Sequence, residues 1–458
     1  MVFQISVNNL RIEDYPTPIS GTFFSTSLRG TSLNEKFFHL KPMKLQRALF
    51  LIWLILFPFT SHAAAGTEIK EKTSGLSPET PAPARFVVRG TQLVDLKRNS
   101  PVFFRGIGYS PYLTNETPLQ GDPPGDDARY EEHLGLIKGM NANYLHVFPM
   151  NIPSKFFLAL DKTDIVYGQD IWIPGTADDF LAEPYLAKTM EGIKKAIDHV
   201  YSVGRPDRLV LFSVGDELQA EAVVRTDSRH PEVHNYTGKY LRVSNRTPTE
   251  IALARLIDGA IDYEVSRYGR RHLYCHTSWT HIGPVADRPD LELPKENVLT
   301  PDLGDLVCLN VYTYARGVRT SPPGSVTRSS YQGYLEDLAA RTQKPIFITQ
   351  VGLSTSPFEP KPWVPGFGGH KVKDVPKDFT AIWKDIRTAK GGKKFCGVSF
   401  FELQDEWWKS GETPDDSARH DKDDPEEWFG LYEVGPDKHL VPKGKIPKTL
   451  GNLYRTLL

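Results

Sequence analysis

From position 86 onward the chain alternates between two patterns of apolar residues. Short runs rich in Val, Ile, Leu and Phe are separated by longer stretches whose apolar positions recur every third or fourth residue. The first pattern is that of a buried strand, and the second is that of a helix covering one face. The clearest short run is Val210-Leu-Phe-Ser-Val-Gly-Asp-Glu217, which stays apolar until Gly215 and then ends in two adjacent carboxylates. Inner strands are expected over 101–109, 143–149, 164–168, 208–216, 272–279, 306–314, 345–352 and 397–405. The stretches 86–95 and 101–109 read as a hairpin leading into the first of them.

Helical faces fall between most of these strands. Tyr130, Leu134 and Ile137 form one, and Leu186, Met190, Ile193, Ile197 and Val200 form another. Thr247-Pro-Thr-Glu250 is a capping box with Pro at the first helical position, and it opens a helix through Ile257, Ile261 and Val265. Further faces carry Tyr331, Tyr334, Leu335 and Leu338, then Phe379, Ile382, Trp383 and Ile386, and a last helix is expected over 446–458. Eight strands alternating with helices predict an α/β fold, a (β/α)8 TIM barrel with a short N-terminal β-hairpin. A doubly wound sheet is disfavoured because no G-x-G-x-x-G loop opens a helix.

The segment before the barrel has a different character. The apolar run over 48–59 is too short to span a bilayer comfortably. Lys44 and Arg47 precede it and Ser61-His-Ala-Ala-Ala65 follows it, which is the layout of a signal peptide over 43–65. Residues 1–42 read as a mis-called upstream extension, 66–84 as a flexible linker, and 85–458 as the barrel. Export to the periplasm or the cell exterior follows, with no stable membrane span after cleavage.

The 55 basic and 56 acidic residues give a net charge of -1, which argues against a nucleic-acid partner. Cys275, Cys308 and Cys396 lie on separate apolar runs and read as buried free thiols. The acidic run over 415–424 lacks EF-hand spacing. No metal or organic cofactor is called for.

Two carboxylates facing each other across a cleft can hydrolyse a glycosidic bond. The strand end at Glu217 offers one of them. The context is given by Arg105-Gly-Ile-Gly-Tyr109, Phe212-Ser-Val-Gly-Asp-Glu217, Asn310-Val-Tyr312, Pro345-Ile-Phe-Ile-Thr-Gln-Val-Gly352 and Phe400-Phe-Glu-Leu-Gln-Asp-Glu-Trp-Trp408, in that order. Together they resemble the retaining β-glycosidases of clan A, especially the barrel domain of family 2 enzymes. The resemblance covers roughly 86–458.

The resemblance implies that Glu217 is the acid/base, with Arg105, Asp216 and Tyr312, or Tyr314 in its place, as supporting residues. The sequence departs from the family at two positions. Gln350 stands where the family has its nucleophilic Glu, and Asp216 stands where Asn is usual. An amide cannot serve as the carboxylate nucleophile.

Three readings stay open: an enzyme with an altered mechanism, a catalytically silent glycan-binding barrel, and an alignment slip at Gln350. In the first, Glu402, Asp405 or Glu406 would supply the second carboxylate, or the substrate's own group would assist. A transglycosylase would use the same groups. Trp172, Trp279, Tyr312, Tyr314, Trp407 and Trp408 are candidates to stack on sugar faces. His146, His276 and Asn310 are candidates to hydrogen-bond hydroxyls. The expected partner is an oligo- or polysaccharide.

Overall fold

A computed structural model describes residues 82–125, 128–279, 297, 299–358, 365–409 and 418–456. The expected extension and signal peptide lie outside the described residues, as does the linker up to residue 81. At the end of the linker, Ala82–Pro83 pairs in parallel with Arg270–Arg271, and Ala84 is buried.

Eight parallel strands close into a barrel. They are β1 (Phe104–Tyr109), β2 (Tyr144–Val147), β3 (Val166–Ile171), β4 (Leu209–Asp216), β5 (Leu273–Trp279), β6 (Val307–Asn310), β7 (Ile346–Val351) and β8 (Phe395–Phe400). Each pairs with its sequence neighbour, and β8 pairs with β1. The helices are α1 (Arg129–Gly139), α2 (Ser154–Leu160), α3 (Glu183–Ser202), α4 (Ala220–Arg229), α5 (Pro248–Tyr268), α6 (Arg316–Arg319), α7 (Ser330–Arg341), α8 (Val375–Thr388) and α9 (Ile446–Arg455). They wrap the strands in the (β/α)8 arrangement.

Every strand residue of β3, β4, β7 and β8 is buried, which is why those runs are apolar without alternation. The capping box at α5 forms as read: Glu250 N–H donates to Thr247 Oγ1, and Thr247 N–H donates to Glu250 Oε2.

The N-terminal hairpin pairs Phe86–Arg89 with Gln92–Asp95, and Ser100–Pro101 adds a third short strand. The turn thus lies inside 86–95, where Gly90 takes a φ of 60°. Phe86 and Leu93 from this sheet join Phe104, Tyr144, Leu211, Leu273, Phe347 and all three cysteines in one apolar cluster. These residues sit in the N-terminal halves of the strands, so the hairpin closes that end of the barrel. The three thiols are free and buried.

Three strands end at least two residues earlier than their apolar runs suggest, and the first of these, β2, stops at Val147. β6 stops at Asn310 and β8 at Phe400. Tyr312, Tyr314 and the stretch 402–406 are therefore on loops at the C-terminal mouth. The loop after β8 finds its hydrogen bonds elsewhere: Leu403 N–H donates to Gly108 O, and Leu431 N–H to Glu402 O. Among the described residues no helix is long and apolar enough to cross a membrane.

Candidate functional site

The C-terminal end of β4 turns sharply. Gly215 and Glu217 have φ values of 76° and 48°. Gly215 is suited to this conformation, and a Cβ there would also meet Ile173 Cδ1 at 2.8 Å. Glu217 adopts it at a cost of about 1–3 kcal/mol, which the surroundings must offset. Its N–H donates to Thr277 O at 3.2 Å, which fixes the turn to β5.

A continuous hydrogen-bonded chain crosses the mouth from this turn. Asn310 Nδ2 donates to Glu217 Oε1 at 2.7 Å and to Asp216 Oδ1 at 2.9 Å. Thr349 Oγ1 donates to Asn310 Oδ1 at 2.8 Å, which sets the orientation of that amide. Gln350 Nε2 donates to Asp216 Oδ2 at 2.8 Å, and Tyr312 Oη donates to Gln350 Oε1 at 2.7 Å. Both oxygens of Asp216 thus carry an amide donor. Gln350 is fully buried, whereas Glu217 is 9% exposed, so Glu217 is the more accessible of the two.

The electrostatics are acidic. Burial pushes the Asp216 carboxyl well above the usual carboxylate range, and Glu217 and Asp170 push it the same way. Burial also lifts Asp170, near the end of β3, to about 7, with Glu217 adding to the shift. His146 and His276 contribute no positive charge: burial lowers each to about 4. His146 Nδ1 lies 3.3 Å from Tyr144 Oη, and His276 Nδ1 lies 3.0 Å from Val214 O.

The acidic loop after β8 divides into separate parts. Lys443 Nζ donates to Asp405 Oδ1 at 2.5 Å, and Gly430 N–H donates to the same oxygen at 2.9 Å. Asp405 is therefore held in an ion pair with Lys443. Glu406 lies 3.1 Å from Lys409, and Lys409 also reaches Glu426 at 3.4 Å. Glu402 is buried, and burial together with Glu406 pushes its carboxyl well above the usual range.

Arg105 does not join the site. Its Nε donates to Asn141 O at 2.9 Å, in the loop that leads into β2, at the opposite end of the barrel. Successive side chains of a strand point to opposite faces, so Arg105 faces away from the side of Gly106, where a Cβ would crowd Ser399.

No family model matches the chain, and no curated protein matches it in sequence. Solved structures do match in fold. Saccharomyces cerevisiae Gas2p in complex with laminaripentaose is 13% identical, with a TM-score of 0.50, over 82% of this chain and 69% of that one. The GH2 beta-galacturonidase from Eisenbergiella tayi bound to galacturonate is 13% identical, with a TM-score of 0.51, over 82% of this chain and 54% of that one. At this identity the likeness shows a shared barrel fold.

The aromatic candidates fall into separate groups around the same mouth. Tyr312 stacks on Tyr314 with centroids 5.1 Å apart, and Trp279 packs against the same apolar cluster. Trp407 is stacked on His420, which is in turn stacked on Trp428, so one face of Trp407 is already covered. Trp408 is buried with its edge against Tyr112. Trp408 and Trp172 line a cavity of about 170 Å³ together with Asp170 and Glu406.

Asp170 was not singled out in the sequence, because the third strand was expected to end at Gly168. The run Val166-Tyr-Gly-Gln-Asp-Ile171 repeats the signal seen at Glu217, an apolar strand with an acid at its C-terminal end. Among the described residues no group of three or more His, Cys, Asp and Glu side chains is arranged to hold a metal ion.

Proposed function

We propose that this chain is an exported, glycoside-hydrolase-like protein acting on β-linked glycans, with Glu217 as the proton donor to the glycosidic oxygen. The observation carrying this reading is the chain Tyr312–Gln350–Asp216–Asn310–Glu217 at the barrel mouth. It ends in one partly accessible carboxyl group on a rigid turn, where a general acid has to be held. The sugar ligands of the two fold neighbours support a glycan as the partner. The sequence layout over 43–65 supports export.

Gln350 has its amide fixed from both ends, so it positions and does not attack. Asp405 is committed to Lys443. Glu406 is likewise paired with Lys409, so the groups left to meet positive charge at the anomeric carbon are Asp216, Glu402 and the substrate itself. The neutral, doubly hydrogen-bonded Gln350 also favours a second reading, a glycan-binding barrel without turnover.

Hydrolysis of a panel of aryl β-glycosides by the mature protein and by Glu217→Gln separates the two. In an enzyme, Glu217→Gln lowers turnover by about 10²- to 10⁴-fold, the usual contribution of a general acid, and leaves glycan binding close to that of the parent. A wild type that turns over no glycoside yet binds a glycan establishes the second reading.

A further inference from the structure

The cavity beside the hydrogen-bonded chain has a composition that the reading above does not use. Its volume is about 170 Å³, and its wall includes Asp170, Glu406 and Asp122 together with Trp172, Trp408 and Tyr112. No Lys or Arg is among its described lining residues. Some buried acids of the interior have cations: Asp405 has Lys443, and Glu406 and Glu426 share Lys409. Asp170 is only 2% exposed and has no ion-pair partner among the described residues. Its Oδ1 has no hydrogen-bond partner, and neither has Nε1 of Trp408, which is 3% exposed.

A buried carboxylate oxygen without a donor is costly unless a ligand supplies one. The aromatic walls select further. Trp and Tyr rings present a negative face that attracts a cation and an apolar face that suits the C–H face of a sugar. A uronate would meet carboxylates with nothing to pair its own. A neutral sugar would leave Asp170 without the opposite charge that favours its ionised form.

We propose that this cavity is a subsite for a sugar residue carrying a protonated amine, so that the glycan handled here contains de-N-acetylated amino sugars. Asp170 accepts from the ammonium, Trp408 donates to a ring hydroxyl, and Trp172 and Tyr112 flank the ring. Asp122, which accepts from Asn151 at 3.1 Å at the exposed rim, adds to the negative potential along the entry, whereas Glu406 is paired with Lys409. The inference rests on the glycan-acting reading and adds to it the class of sugar.

The test uses the full chain carrying Glu217→Gln to prevent turnover. Calorimetric titration near pH 7 compares a β-1,4-linked glucosamine trimer, its N-acetylated counterpart and laminaritriose. The glucosamine trimer is expected to bind about ten-fold tighter, or more, than either neutral trimer, a difference of about 1.4 kcal/mol. Asp170→Asn is expected to erase that preference, and Asp122→Asn to reduce it by a smaller factor. The rim variant keeps the test open should the buried one fail to fold.

Equal or tighter binding of a neutral trimer overturns the amino-sugar inference and leaves the glycan reading standing. So does a preference that survives both substitutions. Binding of none of the trimers also overturns the inference, and the aryl glycoside panel then decides the glycan reading by itself.

Discussion

Asp216 and Gln350, the two residues read in the sequence as departures from the resembled clan A pattern, are in contact at 2.8 Å. In the resembled pattern an amide stands at 216 and a carboxylate at 350. Here the carboxylate stands at 216 and the amide at 350, and the two side chains are hydrogen-bonded. Gln350→Glu alone therefore sets two buried carboxylates against each other, which costs stability and raises the pKa of one of them. Asp216→Asn with Gln350→Glu restores an amide–carboxylate pair. In a double-mutant cycle read by chemical denaturation, the pair is expected to be coupled by about 1–3 kcal/mol, with the double variant more stable than Gln350→Glu. On the aryl glycoside panel the double variant, and not the single one, is expected to gain activity. Additive stabilities would show that the contact is incidental.

At the scale of elements, each candidate group stands where a strand leaves the sheet: Asp170 on β3, Asp216 at the end of β4 with Glu217 directly after it, Asn310 on β6 and Gln350 on β7. The loops after them depend on firmly anchored helices, and α5 is the longest. Its capping box satisfies donors at both positions, and Glu250 Oε1 also accepts from Thr300 N–H at 2.6 Å on the way into β6. Thr247→Ala is expected to cost about 1 kcal/mol and to lower the melting temperature, as loss of an N-cap usually does. An unchanged melting temperature would show that Glu250 holds the helix start alone.

This cap and the strands were legible in the sequence because both are local signals, a short motif and an apolar run. The candidate network was partly legible, since Asp216, Glu217, Asn310, Tyr312 and Gln350 all end or follow such runs. Position along the chain does not tell which way a side chain points, and so Arg105 was misplaced. Nor does it tell which acids find a cation. Asp405 could be separated from Glu402 and Asp170 only by the arrival of Lys443 from a segment 38 residues away.

Taken as a whole, the molecule keeps a net charge of -1 while burying ionisable groups of both kinds in its interior. The two kinds act on stability with opposite signs. His146 is fully buried and lowered to about 4, so the unfolded chain takes up its proton near 6.5 while the folded chain refuses it. Its contribution is complete above 6.5 and is lost as pH falls toward 4. His276, also lowered to about 4, behaves alike. Asp170, raised to about 7, and Asp216, raised well above the usual range, act the other way: their contribution is present below the unfolded carboxylate value and is lost as pH rises.

Across the window from 4 to 6.5 the histidines and these acids pull against each other, and the total curve does not isolate any one group. A difference curve does. His146→Asn removes one titrating ring and leaves the acids in place. The variant is expected to be less stable than wild type at neutral pH. Its deficit should shrink as pH falls through the window, at a rate approaching about 1.4 kcal/mol per pH unit. Urea denaturation at a series of pH values measures that deficit directly. A constant deficit would mean that the ring is protonated alike in the folded and unfolded chains, and that the interior around β2 is wetter than its burial implies.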